Sequence, residues 1–221
     1  GWKVDFNILK PHRALLAGAW GAQLCWILLQ KVDVVMLGAW RPLAETGYYT
    51  VATTLIDALV MLPGAIAFVL MPRLAAELDV KVRSHLLLLT LVVVMGVFGV
   101  GLVVVGVVAP WLIPWVFGSS FEQAVPVFQR LLLACWLMAG YYVAQNAVQG
   151  YGRARYQMAA PLAGLLVKIM FGWWFISHGM MAAANATVVG YAAAFAVALA
   201  VALYGAVVQP LQQISPTRTE Q

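Results

Sequence analysis

Six apolar stretches follow one another along the chain, at about 14–40, 46–72, 85–117, 124–149, 157–177 and 180–207, with short polar turns between them. A helix needs about 20 apolar residues to cross a hydrocarbon core roughly 30 Å thick, and each stretch meets or approaches that length. The pattern predicts an all-α polytopic membrane protein in which residues 14–207 form a unit of six transmembrane helices. Residues 1–13 read as a charged amphipathic lead or linker on the cytoplasmic side. Residues 208–221, polar and rich in Gln, read as a disordered cytoplasmic tail. The chain opens on Gly1 without a signal-like segment, which suggests an internal entry point and a longer protein upstream.

Composition narrows the class. Hydrophobic residues make up 64% of the chain and charged residues 10%, too few charges to clothe a water-facing surface. The net charge of +5 does not point to nucleic acid, because the basic residues sit at span ends instead of gathering on one face. Their distribution carries orientation. Lys3, Lys10, Arg13, Arg73, Lys81, Arg83, Arg153, Arg155 and Arg218 fall on alternate turns and the tail, whereas the other three turns hold Arg41 alone. Basic residues in short loops favour the cytoplasm, so both termini are expected there. Trp40, Tyr48, Tyr49, Trp111, Trp115, Trp173 and Trp174 then mark the outer interface, and Tyr151 and Tyr156 the inner one.

Ionisable residues inside spans are costly against lipid, so each calls for a partner, a wet cavity or a ligand. Lys31, Asp33, Asp57, Arg130 and Lys168 are in this position. Gln23, Trp26, Gln30 and Asp33 share one face of the first span by their spacing, while Lys31 falls nearly opposite and can snorkel outward. Counted from the nearest span ends, Asp57 and Lys168 lie near the midplane and Asp33 toward the outer leaflet. Two arrangements fit the first two: an ion pair with each other, or separate exposure to a water-filled cavity. Arg130 reaches either the interface or the same cavity.

Tyr142, Gln145, Asn146 and Gln149 form a polar stripe near the cytoplasmic end of the fourth span, suited to sugar hydroxyls or to bonding between helices. Small residues recur every fourth position of the last span, from Ala182 through Gly190 to Ala206, and predict close helix packing. Pro63 beside Gly64 predicts an interruption of the second span. Cys25 and Cys135 lack metal-ligand spacing, and no phosphate loop, zinc-protease motif or nucleophile elbow occurs, so neither a metal, a cofactor nor enzyme chemistry is expected.

The run from Lys31 to Ala75 contains Asp33, Leu37-Gly38, Gly47-Tyr48-Tyr49 and the prolines at 63 and 72. With the stretch around Phe117-Gly118 and Ser120-Phe121, and with Gly152-Arg153, it resembles the C-terminal half of the lipid-linked oligosaccharide flippases. These are the polysaccharide-exporting branch of the multidrug/oligosaccharidyl-lipid/polysaccharide exporter superfamily. The resemblance covers about residues 14–205. It implies one lobe of a two-lobe, six-plus-six helix transporter that moves undecaprenyl-diphosphate-linked oligosaccharides across a bacterial inner membrane by alternating access, coupled to a cation. The implied partners are that lipid-linked substrate, membrane lipids, and an N-terminal six-helix lobe or a second subunit; no nucleic acid is involved. On this reading Lys168, and after it Arg130, contact phosphate, and Gln145 and Gln149 contact sugar. Gln23 and Gln30 line the path, and Asp57 or Asp33 carries the coupling ion. Alternatives are a cation-coupled multidrug exporter of the same superfamily, a flippase for the peptidoglycan lipid precursor, and a non-transporting membrane scaffold or assembly subunit.

Overall fold

The computed structural model of the chain describes residues 13–77, 79–151 and 156–213. Six helices account for most of them: α1 (Arg13–Trp40), α2 (Leu43–Ala76), α3 (Val80–Phe117), α4 (Ala124–Gly150), α5 (Ala159–Phe175) and α6 (Met180–Gln213). Single 3-10 turns, Ser119–Phe121 and Ile176–His178, lead into α4 and α6. The apolar stretches thus became helices with ends close to those expected. The stretch 208–213, expected as polar tail, continues α6; residues 1–12 and 214–221 lie outside the described residues. Five helices are long and apolar enough to cross a membrane, and α5, with 17 residues, is shorter. At 1.5 Å per residue α5 spans about 26 Å, less than a typical hydrocarbon core.

Local chemistry sets the helix ends. Asp79 caps α3, its carboxylate accepting from the backbone N–H groups of Lys81 and Val82, which have no partner inside the helix. Gly118 closes α3 at φ 95°, a conformation that favours glycine, and its N–H returns to the Pro114 carbonyl. Pro126 and Pro161 lie in the first turns of α4 and α5, where a missing N–H costs nothing.

Prolines deeper in the helices need compensation, and α3 shows how it is supplied. Pro110 has no N–H to offer the carbonyl four residues earlier, at Gly106. The Gln129 side-chain amide of α4 donates to that carbonyl at 2.9 Å instead. In hydrocarbon an unsatisfied carbonyl is expensive, so this contact both repairs α3 and locks it to α4. Trp136 adds a second tie, its indole N–H donating to the Met95 carbonyl at 2.9 Å. α2 runs as one helix through Pro63 and Pro72.

α4 is the most buried helix and packs along α2, α6 and α3, while α5 packs along α6 and α1. The small residues of α6 permit this. Ala183, Ala194, Ala198, Ala202 and Ala206 are fully buried. A Cβ at Gly190 would lie 2.7 Å from the Lys168 Cβ, and one at Gly164 would lie 2.7 Å from the Ala194 Cβ. Outward surfaces are apolar instead of charged: Val97, Val100, Trp111, Trp115 and Trp174 are all more than half exposed, as lipid contact requires. α1 and α2, by contrast, touch only lightly. That leaves a seam between them, floored by α4.

Candidate functional site

Two ion pairs start from α1, one turned into the bundle and one crossing this seam to α2. On the buried face of α1, beside Leu29, Met36 and Leu37, Asp33 turns into the bundle. Its Oδ2 receives the Lys168 ammonium of α5 at 2.9 Å, the Tyr49 hydroxyl of α2 at 2.5 Å and the Thr187 hydroxyl of α6 at 2.8 Å. Its Oδ1 receives the Val34 N–H at 3.0 Å. Lys168 also donates to the Leu29 carbonyl at 2.7 Å, and its charge lies 5.5 Å from the centre of the Tyr191 ring. Both side chains are almost fully enclosed, at 1% and 3% exposure. Four donors on the carboxylate, and a carboxylate and a carbonyl on the ammonium, offset much of the cost of enclosing the two groups.

For Lys168 this arrangement overturns both expected alternatives, the pairing with Asp57 and the exposure to a water-filled cavity. α5 is short, so Lys168 stands seven residues before its end at Phe175, and Asp33 stands seven residues before the end of α1 at Trp40. The two therefore meet at one level, about 10 Å from those helix ends. Lys168 and Asp33 face the interior of this lobe.

Asp57 pairs instead with Lys31, at 2.7 Å. Lys31 neither snorkels away alone nor neutralises Asp33; it reaches across the seam to α2. The pair is open, with side-chain exposures of 52% for Lys31 and 36% for Asp57. It lies in a recess of about 460 Å³ lined also by Gln30 from α1, Gly64 and Phe68 from α2, and Tyr142 and Asn146 from α4. One wall is polar. The other, with Val60, Met61 and Phe68, is apolar, so the recess suits a molecule with both characters. Trp26 stacks on Tyr141 at 4.6 Å and meets Tyr142 edge-on at 5.4 Å, fixing α1 against α4 along the floor.

The remaining expected site residues scatter. Gln145 is buried and donates to the Gln157 carbonyl, tying α4 to the turn before α5. The polar stripe of α4 is thus divided: Tyr142 and Asn146 face the recess and Gln145 does not. Gln149 is half-buried at the end of α4, and Gln23 is exposed on α1; neither lines the recess. Gln30 does. Arg130 is exposed and donates to the Asn185 side chain of α6 at 2.6 Å, away from the Lys31–Asp57 pair. A larger groove of about 650 Å³ between α3 and α4 is apolar, and the Gln129 amide at its edge is already committed to Gly106.

At the helix ends, charges serve the fold. Glu45 holds Arg41 at 2.7 Å, and this hydrogen bond raises the guanidinium above its ordinary range. Arg41 also reaches the Ser177 carbonyl, joining the α1–α2 turn to the α5–α6 turn. At the opposite end Arg83 is buried, donates to the Glu77 carbonyl and lies 4.9 Å over the Tyr151 ring. Burial pushes the Tyr151 hydroxyl up to about 12, with the Arg83 charge pulling the other way. Among the described residues, no group of His, Cys, Asp and Glu comes together to hold a metal ion.

No protein-family model matches the chain, and no curated protein sequence does. Among solved structures it is similar to a multidrug resistance MATE family transporter of the MOP superfamily, solved in an outward-facing conformation. The identity is 20% and the TM-score 0.68, over 94% of this chain and 49% of that one. The chain therefore has the fold of one six-helix lobe of a MATE-like transporter and spans about half the length of that neighbour; with its five long apolar helices, it is a multi-pass membrane protein.

Proposed function

We propose that the chain forms one lobe of a flippase that moves a lipid-linked, diphosphate-bearing oligosaccharide across a bacterial inner membrane by alternating access. A second six-helix lobe would complete the path, and the recess at the α1–α2 seam is this lobe's share of it. The observation that carries the reading is the Lys31–Asp57 pair, a pair of charges left open in an otherwise lipid-like surface and flanked by Gln30, Tyr142 and Asn146. Open charge within apolar helices marks a wet path more often than a packing device. The apolar wall at Met61 and Phe68 complements it, since the substrate carries a polyprenyl tail beside its anionic head. In this scheme Lys31 takes the phosphate contact first expected of Lys168, and Asp57 is the coupling carboxylate. The basic turns support an orientation with both termini in the cytoplasm.

The second reading, a cation-coupled multidrug exporter, rests on the neighbour's description as a multidrug resistance transporter. Both readings use the same recess and differ in the charge they require of it. Translocation of a fluorescent polyprenyl-diphosphate-N-acetylglucosamine by membrane vesicles containing the full-length protein, set beside ethidium efflux, separates them. For the flippase, Lys31→Met and Asp57→Asn each lower translocation of the lipid-linked sugar by at least about tenfold. Undiminished translocation by both variants overturns the assignment. Efflux of ethidium that depends on Asp57 alone moves it to the multidrug exporter.

A further inference from the structure

We infer that Asp57 is an internal competitor for the anion site on Lys31, so that an anionic ligand and neutralisation of Asp57 favour each other. The inference rests on the recess being the substrate face and goes beyond it by stating how the site is regulated. Lys31 has three donor hydrogens and a side chain 52% exposed, and its ion-pair partner among the described residues is Asp57 at 2.7 Å. An incoming phosphate must approach the same ammonium. With Asp57 ionised, the approach is opposed twice: the pair has to loosen, and the carboxylate repels the anion across a few ångströms. A proton on Asp57 removes both obstacles while leaving Lys31 charged. Binding of the anion, by reciprocity, then favours protonated Asp57.

The surroundings permit this exchange. The charged or titratable groups acting on or through Asp57 are Lys31 from α1, Tyr142 and Cys135 from α4, Lys168 from α5 and Tyr191 from α6. Of the two cations among them, Lys168 is enclosed at 1% exposure and held by Asp33 and the Leu29 carbonyl, whereas Lys31 stands open to an incoming ligand. α1 and α2 touch lightly, which lets the pair part without unpacking the bundle. A cationic ligand would reverse the linkage: it would compete with Lys31 for Asp57 and bind better when Lys31 is lost.

The test measures calorimetric binding of inorganic pyrophosphate to the full chain in nanodiscs of neutral lipid, with tetraphenylphosphonium as the cationic probe. Asp57→Asn, which imitates the protonated carboxyl, is expected to tighten pyrophosphate binding by about fivefold or more, the factor that corresponds to an exposed pair of about 1 kcal/mol. Lys31→Met is expected to abolish it, and Lys31→Met with Asp57→Asn is expected to stay silent. Thermal unfolding of each variant confirms that the bundle is intact. If Lys31→Met abolishes pyrophosphate binding but Asp57→Asn leaves it unchanged or weaker, competition is overturned and the substrate face stands. If neither variant changes the binding of either probe, the substrate face itself falls. Tetraphenylphosphonium binding that Lys31→Met strengthens, with no pyrophosphate binding in any form, also overturns the inference and assigns the recess to cations.

Discussion

Lys31 and Asp33 leave α1 two residues apart and enter ion pairs of opposite kinds. Asp33 is enclosed by α2, α5 and α6 and receives four donors, whereas Lys31 crosses an open seam to a single carboxylate. Two residues correspond to about 200° around a helix, enough to turn one side chain into the bundle and its near neighbour out of it. Enclosure changes what a pair can do. The buried one binds four helices together and has no vacant direction from which a ligand could approach. The open one adds little to the packing and retains donors for something else. Chemically similar pairs thus differ in what they leave accessible by the way each faces.

The sharpest way to break this contrast is to remove one buried partner. Lys168→Met leaves the Asp33 carboxylate enclosed without its counter-charge, and Asp33→Asn strands the ammonium. Loss of one member of a buried pair typically costs about 3–5 kcal/mol, because the survivor's desolvation is no longer offset. Unfolding of the chain in detergent, followed by circular dichroism with increasing denaturant, should show a loss of that size for each variant. The double change Asp33→Leu with Lys168→Met should recover a good part of it. A loss below about 1 kcal/mol for both single variants would mean that the buried pair is no different from an exposed one.

A smaller effect sharpens the account of what surrounds the carboxylate. Tyr49→Phe keeps the ring in its fully buried place and removes only the hydroxyl that donates to Asp33 and meets Thr187 at 3.1 Å. Hydrogen bonds to charged groups are worth about 1.5–3 kcal/mol, so the variant should unfold earlier by that amount while Lys168 stays in place. The same denaturant titration measures it. No change would show that Lys168 and Thr187 suffice and that the phenol is packing.

The helices were legible because a membrane span is encoded by length and apolarity, which a single sequence displays directly. Which helix meets which was not. The depth count placed Lys168 at the level of Asp57 because it measured α5 from one end and took it for a full span; a 17-residue helix brings the same residue level with Asp33. Rotation was equally hidden. Tyr142, Gln145, Asn146 and Gln149 share a broad stripe in sequence, and packing against the turn before α5 turned Gln145 out of the recess. Lys31 drew a snorkelling reading because its partner lies on another helix 26 residues away. Gln129 went unnoticed, although Pro110 carried a signal: a proline deep in a helix frees the carbonyl four residues back, and a polar side chain elsewhere must answer it. The need could be read in the sequence; the partner required the fold.

The smallest effect belongs to the open pair, and its smallness is the point. Lys31→Met and Asp57→Asn should each change unfolding free energy by less than about 1 kcal/mol, since the lone member left in either variant is still reached by solvent in the recess. A double-mutant cycle on the two positions should give a coupling of the same size, falling as salt is raised from about 0.05 to 1 M, because screening acts on open charges far more than on enclosed ones. The cycle on Asp33 and Lys168 should be several times larger and insensitive to salt. A coupling between Lys31 and Asp57 as large as that of the buried pair would mean that a closed seam holds them. The recess would then be a structural joint, and its charges could not be free to meet a substrate.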